Sequence, residues 1–314
     1  MEVAVIGAGT MGRGIAQVFA QSGSKVWLVD VRDDILKRAL GHIKENLTLF
    51  EEEKILSSRQ AADVLSRIDV VVDPRKAVRN VEFVTEAVTE DLTVKKHLFK
   101  LLGEASPKDA ILASNTSGLN VSDISSETAQ PERVIGTNWW NPAQIIPLVE
   151  VMRGEKTSAD TLERTRRILT NAGKKPITIM KSVPGFVGNR LQIALFREAL
   201  HLLEQGVATL EDIDTAVSFG PGFRYPVLGP FRVSDFGGLD VFYHLCGELF
   251  GELDSSTQPP SGTLKRLAEN NRFGVKSGAG FYDYSGLPEV ELVRERDRKL
   301  LRIYRTVSGQ NPGS

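Results

Sequence analysis

Val3-Ala4-Val5-Ile6-Gly7-Ala8-Gly9-Thr10-Met11-Gly12 opens the chain, and Asp30 closes a second apolar run, Lys25-Val26-Trp27-Leu28-Val29. Four consecutive apolar residues suit a buried strand. Residues 10–22 then set Met11, Ile15, Val18 and Phe19 at helical spacing. Between strand and helix, Gly7, Gly9 and Gly12 fill the pattern G-x-G-x-x-G. The first glycine permits a tight turn, the second lets the backbone approach a pyrophosphate, and the third lets helix and strand pack closely. Thr10 and Met11 begin the helix, whose unpaired N–H groups and positive dipole end suit phosphate. Asp30 stands where a carboxylate accepts hydrogen bonds from a ribose. A carboxylate there repels a 2′-phosphate, so the pattern predicts NAD as cofactor rather than NADP. Arg32 pulls the other way, because a nearby arginine can serve that phosphate.

The alternation continues outward. Strand signals recur at 68–72, 83–87, 111–114, 134–137, 147–152 and 176–180, with helical patterns at 33–52 and 57–66. Short strands between helices predict βαβ units and a parallel sheet covered on both faces, a doubly wound α/β sheet of Rossmann type. After Val183-Pro184-Gly185 the texture becomes helical, at 186–206, 210–218, 234–251 and 260–271. The expected division is an NAD-binding domain over 1–183 and an all-α domain over 184–314, with a frayed tail from Ser308.

The 314 residues suit about two domains. Lys+Arg is 39 and Asp+Glu is 40, a net charge of -1, which gives no whole-chain pull toward nucleic acid or an anionic membrane. No apolar run approaches the ~20 residues that span a bilayer. The start at Met1-Glu2-Val3 has no basic region ahead of an apolar core, so no signal peptide is expected. The single cysteine, Cys246, excludes an intrachain disulfide and fits a reducing, cytoplasmic setting. No metal site is expected.

Five later motifs resemble the 3-hydroxyacyl-CoA dehydrogenase family, and the resemblance covers nearly the whole chain. Ser114-Asn115-Thr116-Ser117 looks like the family's S-N-T-S segment. Asn138-Trp139-Trp140-Asn141-Pro142, followed by Leu148-Val149-Glu150-Val151, looks like H-F-F-N-P and L-V-E-V. Pro184-Gly185-Phe186-Val187-Gly188-Asn189-Arg190 resembles P-G-F-[IV]-x-N-R. Gly229-Pro230-Phe231 and Lys276-Ser277-Gly278-Ala279-Gly280-Phe281-Tyr282 resemble G-P-F and K-[TS]-G-x-G-F-Y. The resemblance implies NAD-dependent oxidation of the 3-hydroxyl of a 3-hydroxyacyl-CoA, as in fatty acid metabolism. In that chemistry a His takes the hydroxyl proton and a Glu orients the His. On this chain it implies Glu150 as the orienting carboxylate, and Ser117 and Asn189 as partners of the substrate oxygens. It further implies Asn141 on the nicotinamide side and Glu90 with Lys95 near the cofactor ribose. Lys276 would reach the cofactor from the second domain or a partner subunit. The helical domain would carry substrate and pair two copies in a homodimer.

The departure is central. Asn138 stands where the family has its catalytic His, and an amide has no titratable group near neutral pH. Three readings stand: a paralogue with altered or lost chemistry, an engineered substitution that traps a ligand, or a base supplied by another residue or a water. The four histidines, His42, His97, His201 and His244, all lie outside the motif segments. The substrate is also open. The stretch Gly222-Phe223-Arg224-Tyr225-Pro226-Val227-Leu228-Gly229-Pro230 resembles the branch acting on small hydroxy-carboxylates, such as gulonate, carnitine or a pyridine-carboxylate. Arg224 can fork onto a substrate carboxylate. An acyl-CoA would instead draw on Lys37, Arg38 and Lys44 for its phosphates. Of Trp139 and Trp140, at least one is expected in the core, and the other can narrow the pocket. A non-catalytic NAD-binding protein on the same scaffold is the contrasting function class.

Overall fold

A computed structural model describes residues 1–253 and 262–308, so the tail expected to fray lies outside the described residues from 309 on. The chain forms two compact units, the first Met1–Val187 and the second beginning at Gly188.

The first unit is built on eight strands, β1 (Glu2–Ile6), β2 (Lys25–Val29), β3 (Ile68–Val71), β4 (Phe83–Glu86), β5 (Ile111–Asn115), β6 (Val134–Trp139), β7 (Leu148–Arg153) and β8 (Lys175–Ile179). Their order across the sheet is β3-β2-β1-β4-β5-β6-β7-β8. The order turns back between β1 and β4, and a crevice for ligands opens outside the carboxyl ends of strands at such a switch point. Gly7 directly follows β1 and Ala87 directly follows β4, so the glycine loop lies there.

Strand pleating explains the apolar runs. Val3 and Val5 enter one core with Phe19 and Leu28, while Ala4 and Ile6 enter a second core with Val84 and Leu112. Both faces of the sheet are therefore covered. The helix Thr10–Gln21 buries Ile15, Ala16 and Phe19. The Phe19 ring meets Phe83 at 5.6 Å and takes Trp139 edge-on at 5.9 Å between centroids.

The sheet is not wholly parallel. β6 and β7 pair antiparallel, with Asn138 opposite Glu150. The reason is length: the connection holds only residues 140–147, and a parallel return needs a crossover of roughly a dozen residues or more.

The second unit is helical, with Gly188–Glu204, Leu210–Phe219, Pro221–Arg224, Pro230–Gly237, Leu239–Leu249, Gly262–Glu269 and Glu289–Ser308. The single helix expected over 234–251 is two, because Gly238 adopts φ 92°, which ends the first of them. The helix Glu289–Ser308 lies beyond the segments expected to be helical. Its sequence alternates charges such as Glu295 and Lys299, paired at 3.3 Å, around sparse apolar positions such as the buried Leu301. No helix among the described residues is long and apolar enough to cross a membrane.

Gln17 is fully buried on the helix Thr10–Gln21, and neither polar atom of its amide has a hydrogen-bond partner. An apolar side chain of similar shape removes that desolvation cost. Gln17→Met is expected to raise stability by about 1–3 kcal/mol, read as a higher midpoint in urea unfolding.

Candidate active site

The glycine loop is shaped by close approach. Gly7 has φ +102°, and a Cβ there would stand 2.6 Å from the carbonyl oxygen of Ala87. At Gly12 a Cβ would stand 1.7 Å from the carbonyl oxygen of Gly7. At Gly9 nothing lies within 4 Å of that position, so this face of the loop is open. Gly9 caps the helix Thr10–Gln21 without a side-chain hydrogen bond, which leaves the first-turn N–H groups to an external acceptor. Asp30 Oδ2 accepts from the Ala8 amide at 2.7 Å, and Oδ1 accepts from Val31 at 2.7 Å. The carboxylate thus fixes the loop as well as marking the end of β2. Arg32 is engaged by Asp34 at 3.0 Å. An open cradle, uncapped amides and an acid at the neighbouring strand end suit a dinucleotide.

A buried network lies under the ends of β4 and β5. Lys95 has no exposed side-chain surface. Its Nζ donates to both carboxylate oxygens of Glu86 at 2.9 Å and to the Asn115 carbonyl at 2.8 Å, and it pairs with Glu90 Oε2 at 3.1 Å. The Ser114 hydroxyl donates to Glu86 at 2.6 Å, and the Val88 amide donates to it at 2.7 Å. Burial pushes the Glu86 carboxyl above its ordinary value, and Lys95 and Ser114 offset only part of this. Burial also opposes ionisation of Glu90. There the Thr116 hydroxyl and the Lys95 ammonium prevail and hold its carboxyl below the usual range. Glu90 Oε1 accepts from that hydroxyl at 2.5 Å and from the Ser117 amide at 3.0 Å. Glu90, Lys95 and Ser117 are therefore brought together, with Lys95 reaching Glu90 rather than presenting a free amine. Ser117 itself is exposed.

Asn138 and Glu150 meet across β6 and β7. Glu150 is fully buried and Asn138 nearly so. Asn138 Nδ2 donates to Glu150 Oε2 at 2.8 Å, and the Trp140 indole donates to the same oxygen at 3.4 Å. The Val187 amide donates to Oε1 at 2.9 Å. A carboxylate only accepts, so the Asn138 amide is set with its nitrogen toward Glu150 and Oδ1 left as an acceptor. Trp139 belongs to the core, while Trp140 is half-buried beside Glu150 and Asn141 is exposed.

Asn189, Arg224 and Lys276 belong to the second unit. Asn189 opens the helix Gly188–Glu204 and is half-buried, whereas Arg224 and Lys276 are exposed. The Lys276 ammonium stands 5.3 Å from the centre of the Phe273 ring. Arg224 makes no ion pair among the described residues. No cluster of three or more His, Cys, Asp or Glu among the described residues is arranged to hold a metal.

Residues 2–183 match the NAD-binding domain of 3-hydroxyacyl-CoA dehydrogenase, and residues 185–284 match its C-terminal domain. The chain belongs to the 3-hydroxyacyl-CoA dehydrogenase family. It is an oxidoreductase by type, and NAD is its cofactor. It is 39% identical over 289 residues to the mitochondrial hydroxyacyl-coenzyme A dehydrogenase of Homo sapiens, covering 90% of each chain. It is 34% identical over 308 residues to a 5-formyl-3-hydroxy-2-methylpyridine 4-carboxylate 5-dehydrogenase of Mesorhizobium japonicum, covering 98% of each. A solved structure of a 5-dehydrogenase of this kind, described as an NAD+-dependent dismutase, superposes with a TM-score of 0.89 at 33% identity over 99% of both chains. The 3-hydroxybutyryl-CoA dehydrogenase of Escherichia coli K12 superposes with a TM-score of 0.74 at 36% identity, over 91% of this chain and 60% of that one.

Two buried groups at the site escaped the sequence reading, Glu86 and Lys174. Glu86 lies inside the strand expected over 83–87, and no motif marks an acid in an apolar run as part of a network. Removing one partner of a buried ion pair strands the other. Lys95→Met is expected to cost about 3–5 kcal/mol, measured by urea unfolding, and Glu86→Leu in the same chain is expected to recover most of it.

Proposed function

We propose that this chain interconverts a secondary alcohol and its carbonyl, with a 3-hydroxyacyl-CoA as the substrate class, at the end of the crevice where Asn138 meets Glu150. The observation that carries the reading is the 2.8 Å hydrogen bond from Asn138 Nδ2 to the buried Glu150, in the positions of the family's base and orienting carboxylate. When bound, NAD supplies the two-electron exchange with the substrate carbon. Gly7, Gly9, Thr10, Met11 and Gly12 cradle its phosphates, and Asp30 accepts from its ribose. Glu90, held by Lys95, faces the second ribose, and Asn141 lines the nicotinamide side. The resemblance assigns Ser117 and Asn189 to the substrate oxygens and Lys276 to the cofactor, the last from the second domain or from a partner subunit. Residues 1–183 thereby bind NAD, and 184–314 carry substrate and dimer contacts.

Asn138 changes how the proton is handled. Its Oδ1 can accept a hydrogen bond from the substrate hydroxyl and fix its direction. It cannot take the proton, which passes to water, so oxidation is slow compared with a chain that carries His there. Binding of NAD without turnover is the limiting case.

A second substrate class, a small hydroxy-carboxylate, is favoured by specific observations. The pyridine-carboxylate dehydrogenase matches this chain end to end. Of the three cations that an acyl-CoA would draw on, Arg38 already has a partner, pairing with Asp34 at 3.1 Å. Arg224 is exposed and suits a carboxylate.

The helical domain exposes large apolar side chains, among them Phe219, Phe231, Phe236 and Tyr243. A second copy of the chain covers such a surface in a homodimer. The lone Cys246, a free thiol, fits a reducing cytoplasm.

Asn138→His is expected to raise turnover of 3-hydroxybutyryl-CoA with NAD by about 10²–10⁴-fold, followed as NADH absorbance, with gulonate and carnitine tested in parallel. Flat turnover with all three, together with intact NADH binding, would remove Asn138 from the position of the base.

A further inference from the structure

Lys174 precedes β8 and is 5% exposed. Its ammonium donates to the carbonyl oxygens of Ala143 at 2.6 Å and Ile146 at 3.0 Å, and stands 5.5 Å from the centre of the Trp139 ring. Among the described residues no ionisable side chain pairs with it. Its neighbours are the aromatic ring of β6, the carbonyls of the connection 140–147, and the helix Ala159–Asn171 and β7, which flank β8. None of these brings a charge to bear on its proton, and burial alone pushes it down to about 7. An interior cation without a counter-ion is costly, and Met fills similar space without that cost.

What the ammonium grips is informative. The connection 140–147 begins with Trp140, which donates to Glu150, and Asn141. It closes locally, because the Ile145 and Ile146 amides both donate to the Pro142 carbonyl at 3.0 and 2.9 Å. Its middle leans on the dinucleotide helix: a Cβ on Gly14 would lie 3.1 Å from Ala143 Cβ. The two Lys174 hydrogen bonds tie this turn to the start of β8 from the inside.

We propose that Lys174 is a positioning residue for the nicotinamide end of the site, holding the connection that carries Trp140 and Asn141 in register with Glu150. The proposal rests on the reading above that Asn141 lies beside the cofactor. The protonated amine has three donors and a full charge for two carbonyls; the neutral amine has two weaker donors. The grip is therefore firm below a pH of about 7 and loosens above it.

The test uses the full chain with Lys174→Met and Lys174→Arg. NADH affinity is read by fluorescence titration from about pH 6 to about pH 9, and near-UV circular dichroism reports the tryptophans. In the unsubstituted protein, NADH binding is expected to weaken as pH rises through about 7, with a change in the tryptophan signal at the same midpoint. Lys174→Met is expected to bind NADH about tenfold more weakly at the acid end, the loss of charge-assisted hydrogen bonds, and to show no pH step. Lys174→Arg, charged throughout, is expected to keep tight binding at the alkaline end. Equal affinity of Lys174→Met and the unsubstituted protein at the acid end, with no pH step in either, overturns the proposal. Should the unsubstituted protein fail to bind NADH, the cofactor reading is what fails. Lys174 is then judged on the tryptophan signal: a step that Lys174→Met lacks supports it, and a flat signal overturns it. If Lys174→Met does not fold, the pH step and the Arg variant decide in the same way.

Discussion

The carboxyl ends of the central strands converge on one buried ammonium, that of Lys95. It satisfies Glu86 at the end of β4, Glu90 in the turn that follows, and the carbonyl of Asn115 at the end of β5. Glu86 and Lys95 are both fully buried and cannot be left alone there, because an unpaired buried charge costs far more than a surface one. The network therefore decides where the turn after β4 runs. That turn in turn fixes Gly7, whose missing side chain lets the Ala87 carbonyl come close. Glu90, held low in pKa by Thr116 and Lys95 against its burial, stands as an anion in that turn. The turn after β4 is thus pinned by electrostatics, and Gly7 packs against it.

Much of the fold was legible in the sequence because its strands are buried on both faces and so read as unbroken apolar runs. Val3–Ile6 is the plainest case, and the glycines after it name the turn. The direction of β7 was not legible from periodicity, which is the same for a strand running either way. It followed from a different quantity, the shortness of the segment between Trp139 and Leu148. The final helix escaped because charge pairs rather than an apolar stripe mark it, and Gly238 divided a helix that hydrophobic spacing alone joined. At the site, motif resemblance named Asn138, Glu150, Glu90 and Lys95. The groups it passed over, Glu86 and Lys174, act on other protein groups, and nothing in a local pattern says which buried charges will find each other in space.

Asn138 separates two properties that a catalytic pair usually combines. Glu150 orients its partner through a buried hydrogen bond, and here that partner is a neutral amide. Orientation survives the exchange, while proton affinity does not. Trp140 adds a second neutral donor on the same carboxylate oxygen, so the carboxylate is supported even though residue 138 brings no charge.

The antiparallel pairing of β6 with β7 has a consequence on an evolutionary timescale. Residues 138 and 150 face each other because the backbone ladder sets them there, so their opposition does not depend on which side chain fills the first position. Asparagine and histidine codons differ by one nucleotide. On the function proposed above, exchanging a proton acceptor for an amide at position 138 is thus a single mutational event that leaves the backbone pairing in place.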